Sequence, residues 1–385
     1  MVKVNRDFID PAVAVRLARE VLADFDVNDS TSLAGYLPSQ EVDDIEYEIE
    51  VGSTAGFITA ANWRAFNGNP TSETWGEGKR QRGRFLPLAR NYTIDEEGAL
   101  RQRNNKDALI ERESANLIRR GAKSIGIAIN RQRANALQYG IIQIEGSGHL
   151  RQQISFGRNA NFTTVADQLF TDDAADPLGY IEALADLYEA ENGFRPERVM
   201  IPTNIRRLIS QHASVVRQAT DSTIRDRATQ SELDALFAEY RLPQIIDTPS
   251  SLIQVDDLAT GEVKKVRLFD RDSILFVPAT GDPLAPEASI YGRTLWGRTK
   301  TADIPAFRES GADTPGVVAG VLTGQDYPFN EEVIIDALAM PVVYNANYTL
   351  KAKVIDLSGE NDQFATPGEK AGLTSDPLAG VPATK

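Results

Sequence analysis

The sequence contains one helical pattern that is much longer than the helices of ordinary globular proteins. Over residues 107–139 apolar side chains recur on one stripe, and a helix of that length extends about 50 Å. The stripe consists of Ile118, Ala122, Ile125, Ile129 and Ala136. Basic residues occupy the other faces, namely Arg112, Arg119, Arg120, Lys123, Arg131 and Arg133. Any fold proposed for this chain has to accommodate a rod of about nine turns.

A carboxylate and three glycines mark the ends and the middle of this helix. Asp107 is a suitable N-cap, and Gly140 suits the position just after the last turn, where a positive φ is common. Gly121 and Gly126 lie inside the helix, where each costs about 1 kcal/mol relative to alanine. We therefore expect a close backbone approach at both internal glycines.

Upstream of the helix, a short segment alternates apolar and acidic residues. The apolar members are Ile45, Tyr47, Ile49 and Val51, which gives the period-two pattern of a strand. The acidic members are Asp44, Glu46, Glu48 and Glu50. The pattern predicts a strand with one strongly acidic face.

A long polar excursion, residues 57–106, separates this strand from the helix. Its central part, NGNPTSETWGEGKRQRG, has no apolar period, and a structureless stretch of this length is unusual inside a compact domain. Its tip carries the cations Lys79, Arg80, Arg82 and Arg84, and near them is an aromatic residue of the kind that anchors interfaces, Trp75. Pairing of this arm with the acidic strand within one monomer is one alternative, and we favour the other, in which the arm reaches the acidic face of a neighbouring subunit, around Glu46 and Glu48.

Composition limits the classes of protein to which the chain can belong. With 385 residues it is expected to form two or three domains. It contains no cysteine, which excludes disulfides and thiolate metal sites. The net charge of −14 argues against a protein whose main task is to grip DNA, because such proteins usually carry a basic surplus. No apolar run approaches the length of a membrane span, and the first residues lack an apolar signal core.

The second half of the chain alternates helical and strand patterns. Residues 177–280 contain the helices and short strands of an α/β lobe, with Ser231 as the cap of one helix. Residues 288–356 are mostly of strand type. From Ser358 onward large apolar residues are scarce, which predicts a flexible tail. The fold class is therefore α+β.

The search for reactive groups finds few candidates. His149 and His212 have no partner at metal-ligand spacing and are interpreted as surface or interface residues. Asp172, Asp173 and Asp176 lack calcium-loop spacing and are interpreted as a solvated helix entrance. There is no nucleophile elbow and no complete phosphate loop, although a serine–histidine–aspartate triad stays open because its members need not be adjacent. We predict no catalytic residue, no metal and no cofactor.

Several short motifs, taken in order, resemble those of a known family. The long helix ends in Ala136-Leu137-x-x-Gly140, and the glycine-punctuated hairpin after it ends in Phe156-Gly157-Arg158. Later come GRTLWGRTKTADIP, TPGVVAGVL and DALAMPVVYNANYTLKAKV, the last with an aromatic-Asn-x-Asn run at residues 344–347. This order resembles the major capsid proteins of tailed bacteriophages, which have the Hong Kong 97 coat-protein fold, and in particular the family of the lambda major head protein.

The resemblance implies a division of the chain. It implies an N-terminal arm at 1–40; a peripheral domain with a long spine helix at 41–56, 107–176 and 288–357; an extended loop at 57–106; an axial α/β domain at 177–287; and a flexible tail at 358–385. Arg158, at a strand end, is then expected to offer its guanidinium to a carboxylate of a neighbouring subunit.

The resemblance also implies a structural function and no enzymatic one. Subunits would assemble into hexamers and pentamers of an icosahedral head that encloses double-stranded DNA without sequence-specific binding. The implied partners are identical subunits with scaffold, portal and decoration proteins, and no membrane. The protein would be made in the bacterial cytoplasm and reside in the virion. Two alternatives are an encapsulin-like protein shell and an α/β enzyme with a mobile basic loop.

Overall fold

The structure is a computed structural model. It describes residues 3–4, 9–51, 79–94, 107–146, 150–220, 225–249, 252–256, 263–309, 314–323 and 331–357. Its α-helices are α1 (Pro11–Asn28), α2 (Asp107–Tyr139), α3 (Pro177–Asn192), α4 (Thr203–Gln211), α5 (Ala213–Thr220), α6 (Gln230–Glu239) and α7 (Pro305–Glu309). Its strands are β1 (Lys3–Val4), β2 (Ser39–Glu41), β3 (Glu46–Val51), β4 (Lys79–Arg84), β5 (Leu86–Ile94), β6 (Ile141–Gly146), β7 (Leu150–Ser155), β8 (Thr163–Val165), β9 (Arg198–Ile201), β10 (Gln244–Asp247), β11 (Leu252–Asp256), β12 (Val263–Arg267), β13 (Ser273–Val277), β14 (Gly292–Gly297), β15 (Val318–Thr323), β16 (Glu331–Val343) and β17 (Leu350–Lys353).

The chain divides into two compact units, each built from separate stretches of sequence. The first comprises Met1–Ile49, Gln81–Arg133 and Thr280–Val342, and the second comprises Glu50–Arg80, Ala134–Ala279 and Val343–Lys385. The boundary falls inside α2, so this helix supplies residues to both units. The proposed tail from residue 358 lies outside the described residues.

The long helix α2 has the bounds that its sequence pattern predicts. It ends at Tyr139, and Gly140 follows with a φ of +65°. The backbone N–H of Gly140 donates to the carbonyl of Ala136 over 2.9 Å. Glycine adopts this left-handed conformation without a Cβ clash, which lets the chain leave the helix and enter β6 directly. The predicted helix and its terminating glycine are both confirmed.

The two glycines inside α2 lie where other side chains press against the helix. A Cβ atom at Gly121 would stand 2.3 Å from Cδ1 of Ile335, a distance that real Cβ atoms essentially never show. A Cβ at Gly126 would stand 3.2 Å from Cδ1 of Phe25. Both glycines are thus sites of close packing, but the neighbouring atoms belong to side chains of the first unit and not to its backbone, so the predicted backbone approach is wrong.

The first unit is a six-stranded sheet covered by α1 and α2. Its strand order is β1-β15-β16-β14-β2, with β5 also paired to β16. The long strand β16 pairs antiparallel with β5 over nine residue pairs, from Glu331 opposite Ile94 to Ala339 opposite Leu86. The shared core contains Ile118, Ile125, Trp296, Val333 and Ile335, all buried.

The described part of the proposed extended loop is regular structure. Residues 79–94 form β4 and β5, and β5 lies within the six-stranded sheet. Leu88, Tyr92 and Ile94 alternate along β5 and pack against the core of the first unit. Burial of this alternating face explains why the segment forms a strand. The described part of the proposed extended loop is thus strand structure, and the assignment of residues 57–106 to one extended loop stays a prediction.

The described part of the proposed N-terminal arm, residues 9–40, is packed into the first unit. Asp10 caps α1 by accepting from the N–H of Ala12 over 2.9 Å, and α1 buries its apolar side against the sheet. Strand β2 then pairs parallel with β14. The side-chain oxygen of Asn130 accepts from the N–H of Leu33 over 2.9 Å, which ties the connecting loop to α2.

A buried arginine joins four elements of the first unit. The guanidinium of Arg133, only 1% exposed, donates to Asp26 over 2.7 Å, to Ser39 over 2.9 Å and to Thr294 over 2.9 Å. We placed Arg133 on a polar face of the helix, and this was wrong. It stands four residues after Ile129, so it falls on the apolar stripe and enters the core with its charge paired.

The second unit has a five-stranded sheet in the order β10-β9-β13-β17-β8. Strand β17, Leu350–Lys353, lies between β13 and β8, so residues 343–357 belong to this unit and not with residues 288–342, as the predicted division had them. Residues 134–176 also belong to it, since β8 is its edge strand. Helices α3 to α6 bury Ile181, Tyr188 and Phe237 against the sheet. The reason for the difference is strand pairing between segments far apart in sequence.

One predicted helix cap of the second unit is displaced by two residues. Helix α6 is capped by Thr229 and not by Ser231. The Thr229 hydroxyl accepts from the N–H of Glu232, and the Glu232 carboxylate accepts from the N–H of Thr229 over 2.7 Å. This reciprocal capping box satisfies two backbone donors, which a cap at Ser231 would not do.

Candidate functional site

Four of the predicted contact residues form a charged ladder on β3 and β4. We use the name charged ladder for Glu46, Glu48, Arg82 and Arg84. Nε of Arg84 lies 3.0 Å from Oε1 of Glu46, and Nη2 of Arg82 lies 3.1 Å from Oε2 of Glu48. The alternation of the two sequences puts acids on one strand opposite cations on the next. The acidic face and the basic segment that we expected to meet between subunits thus pair within one chain.

The other face of these strands is apolar and buried. The rings of Tyr47 and Phe85 stack with their centroids 6.0 Å apart, and Ile49 lies beside them. Gly83 leaves room for the Tyr47 ring, because a Cβ there would stand 2.4 Å from the phenol oxygen. Burial raises the pKa of Tyr47. The apolar face therefore fixes the two strands against the first unit and leaves the charges outside.

The charged ladder itself contributes little to the stability of the isolated chain. The side chains of Arg82 and Arg84 are 73% and 78% exposed, and those of the two glutamates are about half exposed. Ion pairs this open to water are worth about 0.2–1 kcal/mol, because solvent screens the attraction. Exchange of these ion-pair partners for other groups of opposite charge therefore costs little free energy.

The remaining predicted cations lie at the beginning of β4. Lys79 is its first residue, and the side chain of Arg80 is exposed. Trp75, which we expected at an interface, lies outside the described residues, as does His149. The structure thus brings Arg82 and Arg84 together with the acidic strand and leaves the role of Trp75 as a prediction.

Arg158 closes the end of α2 within its own chain. Its guanidinium donates to the carbonyl of Gln138 over 2.5 Å, to that of Leu137 over 3.0 Å and to that of Thr349 over 3.0 Å. It also donates to the Thr349 hydroxyl. The last carbonyls of a helix have no partner within the helix, and a cation there is favoured by the helix dipole. The structure thus gives the guanidinium partners within the second unit, and the expected intersubunit contact stays a prediction.

The motifs that carried the family resemblance meet at this point. A Cβ at Gly140 would stand 2.9 Å from Cβ of Arg158 and 3.3 Å from Cβ of Ala346. The side-chain oxygen of Asn347 accepts from the N–H of Asn159 over 2.8 Å, and its backbone carbonyl accepts from Asn192 over 2.9 Å. Three short motifs distant in sequence therefore build one junction of the second unit.

A second buried ion pair was not recognised in the sequence. Lys351 and Asp270 are in contact, the hydroxyl of Tyr139 donates to the same carboxylate, and Nζ of Lys351 lies 4.0 Å from the centre of the Tyr139 ring. Nearby, burial raises the pKa of Asp272, a hydrogen bond from Ser273 opposes the shift, and the charge of Asp270 adds to it. Lys351 gave no signal in the sequence, because it alternates with apolar residues as a surface lysine on a strand does.

The described residues offer little to the enzymatic alternative. A shallow cavity of about 170 Å³ in the second unit is lined by Asn204, Thr248 and Arg267, among others, and is smaller than the roughly 300–1,000 Å³ of typical ligand sites. Within the described residues no cluster of three metal-ligating side chains occurs. Asp176 caps α3 through the N–H of Gly179, as a helix entrance should. No helix of the described part combines the length and apolarity needed to span a membrane.

His212 was expected at the surface or an interface and is instead buried. One ring nitrogen lies 2.7 Å from the hydroxyl of Ser214, and the other lies 3.2 Å from the carbonyl of Asp172. Both nitrogens are therefore occupied in holding the turn between α4 and α5. This arrangement suits a structural residue.

Comparison with family models and with curated proteins finds no match for the sequence. Comparison with solved structures finds a protein assigned as the capsid protein of an Escherichia coli CFT073 prophage, with 14% identity and a TM-score of 0.57 over 92% of this chain and 100% of that one. A phage-related protein from Bordetella bronchiseptica RB50 aligns with 14% identity and a TM-score of 0.50 over 92% and 97% of the two chains. The mixed helix and strand fold is that of phage capsid proteins.

Proposed function

We propose that this chain is the major capsid protein of a tailed bacteriophage and assembles into the hexamers and pentamers of an icosahedral head. The observation that carries the proposal is the likeness to a prophage capsid protein over that protein's whole length. The order of elements, with a long helix between a charged hairpin and an α/β unit, agrees with the Hong Kong 97 type of coat protein. In this function the virion is the place of the protein, and packaged double-stranded DNA lies inside the shell.

The charged ladder supports an assembly function because it is exposed and balanced. It carries two acids and two cations, so an identical subunit presents a complementary pattern. Each exposed pair contributes only about 0.2–1 kcal/mol, but a closed shell repeats the contact in every subunit. We therefore place Glu46, Glu48, Arg82 and Arg84, with Lys79, Arg80 and Trp75 of the adjoining segment, at a contact between subunits.

Electron microscopy of the purified full chain tests the function. We expect closed particles, or rings of five and six subunits, at protein concentrations where weak repeated contacts add up. A chain that stays monomeric by light scattering under all salt and concentration conditions would contradict the proposal. Particles that contain a co-purified enzyme would favour the encapsulin-like alternative, and scaffold, portal and decoration proteins are the partners expected of a phage head.

A further inference from the structure

The outer face of α2 in the first unit carries a run of exposed cations. We use the name basic stripe for Arg112, Arg119, Arg120 and Lys123. The opposite face of the same helix is buried, with Ser114, Ile118, Ala122 and Ile125 directed into the core. Residues 112, 119 and 123 are spaced by seven and four positions, so they lie nearly one above another on the helix. Burial of one face therefore fixes the other as a line of positive charge.

The basic stripe takes part in no ion pair among the described residues, although Lys123 is near enough to Asp29 for its charge to help lower the pKa of that carboxyl. Among the described residues, the ion pairs involve other cations, such as Arg133, Arg195 and Arg293, and none involves a member of the basic stripe. Arg119 donates to the side chain of Asn116, which is uncharged. Glu113 is an exposed acid of this face. With Glu113 and Asp29 as the described acids beside it, the basic stripe still has an excess of positive charge in a chain whose net charge is −14.

The dimensions of the basic stripe suit a phosphate backbone. From residue 112 to residue 123 the helix rises about 16 Å. A DNA duplex carries one negative charge per about 1.7 Å of its axis, so a duplex lying along the stripe presents about ten phosphates to it. Arginine and lysine side chains on an exposed helix face reach phosphates without entering a groove, and such contacts carry no sequence information.

We propose that the basic stripe of α2 contacts the phosphate backbone of double-stranded DNA, a proposal that rests on the proposed capsid function. The chain as a whole repels DNA through its net negative charge, so the contact is local, weak and sensitive to salt. A weak contact orders the outermost DNA against the shell and still permits its release. This deepens the expectation from the sequence, in which the acidic chain only encloses DNA.

The test measures binding of the unassembled full chain to a fluorescent DNA duplex of mixed sequence at several salt concentrations. The variant R112Q/R119Q/R120Q/K123Q removes the basic stripe and keeps good helix formers. The control R217Q/R241Q/K264Q/K265Q removes four exposed cations of the second unit, so both variants have the same net charge. Circular dichroism and urea unfolding show whether each variant folds, and R119Q/K123Q provides a milder change.

We expect the stripe variant to bind at least about tenfold more weakly at low salt and to lower the slope of log affinity against log salt by about 3 to 4. The control variant should change the slope by less than about 1, and R119Q/K123Q should fall halfway. Wild-type binding by the stripe variant overturns the proposal, and so does an equal loss in the control. A stripe variant that binds DNA normally but no longer recruits an acidic protein during assembly also overturns it.

Electron microscopy of the wild-type chain and of the three variants separates this proposal from the proposed function. Closed particles without stripe-dependent DNA binding leave the capsid function standing and reject the contact with DNA. Stripe-dependent DNA binding by a chain that never forms particles supports the contact and rejects the capsid function.

Discussion

The last turn of α2 ends in carbonyl groups that one guanidinium satisfies. Arg158 donates to Leu137 and Gln138 of the helix and to Thr349 of the next motif. A fork of fixed geometry serves three carbonyls at once, which a lysine ammonium on a flexible stem does less well. Unpaired backbone carbonyls at the end of the helix therefore require a donor such as Arg158. Arg158 in turn requires glycine at position 140, because a Cβ there would stand 2.9 Å from its own Cβ.

Substitution of Gly140 by alanine is expected to destabilise the second unit by about 1–2 kcal/mol from the positive φ, with a further loss from contact with Arg158. The Cβ would stand 2.9 Å from Cβ of Arg158. Gly157 is the matched control, since its φ is +71° and a Cβ there meets no atom within 4 Å. Urea unfolding should show a larger loss for G140A than for G157A; equal losses would mean that the contact has no cost.

Replacement of Arg133 by methionine is expected to cost about 3–5 kcal/mol, because it leaves Asp26 partly buried without a counter-charge. The pair lies 2.7 Å apart, and Arg133 is almost fully enclosed. Removing both charges in R133M/D26L should return a large part of the loss, since the buried carboxylate is then gone. The free energy of unfolding of the single and double variants measures this coupling, and simple additivity of the two single changes would contradict it.

At the scale of elements, the sequence predicts what local periodicity controls. The bounds of α2 follow from its apolar stripe, and the alternating residues of β3 and β5 follow from period two. Strand pairing does not follow, because β5 joins β16 across more than two hundred residues and β17 joins the second unit. The charged ladder was predicted as two complementary segments, but its closure within one chain depends on the buried contact of Tyr47 and Phe85. Arg133 was within reach of prediction, since it continues the apolar stripe.

Alanine at Gly121 is expected to destabilise the first unit in spite of its better helix propensity. The new Cβ would stand 2.3 Å from Cδ1 of Ile335, and forced overpacking of a core costs about 1–3 kcal/mol. Ile335→Val removes that Cδ1 atom, so the double variant G121A/I335V should regain stability relative to G121A. Thermal unfolding of the two single variants and the double variant provides the measurement, and a double variant no better than G121A would count against this packing.

The capping box of α6 makes the stability of the second unit dependent on pH. The pKa of Glu232 falls from 4.5 to about 2, because Arg225 and then the N–H and hydroxyl of Thr229 hydrogen-bond to its carboxylate. Because the folded chain lowers this pKa, the ionised carboxylate stabilises the fold at pH values above the ordinary pKa of 4.5. This stabilisation is lost as the pH falls from 4.5 towards about 2. E232Q should reduce the change of the urea unfolding midpoint with pH in this window. E239Q, on the same helix, should leave the pH dependence of the wild-type protein unchanged.

At the scale of the whole molecule, charge is distributed unevenly over an acidic chain. The charged ladder balances its own acids and cations, whereas the basic stripe holds more cations than it has described acids beside it. The remaining surface carries the excess that sets the net charge of −14. An assembly of many copies multiplies each of these small differences, so contacts that are weak in one chain govern the behaviour of a shell.

The ladder variants E46R/E48R and R82E/R84E are each expected to give few particles when assembled alone, because like charges then face each other. A one-to-one mixture should recover particles, since the introduced arginines of one variant face the introduced glutamates of the other across the contact. The variant E46R/E48R/R82E/R84E restores pairing within the chain and should also assemble. Electron microscopy and sedimentation count the particles. If that quadruple variant assembles but the mixture does not, the ladder acts only within its own chain.

The pairing of β3 with β4 has a consequence for engineering. The chain leaves the first strand at Val51 and returns at Lys79, and the two strands lie side by side. Lengthening the connection between fixed neighbouring ends costs little, about 0.6 kcal/mol for each doubling. A foreign peptide grafted between these two residues would therefore disturb the pairing of the strands little, and every copy of the protein would carry it at the same point of the chain.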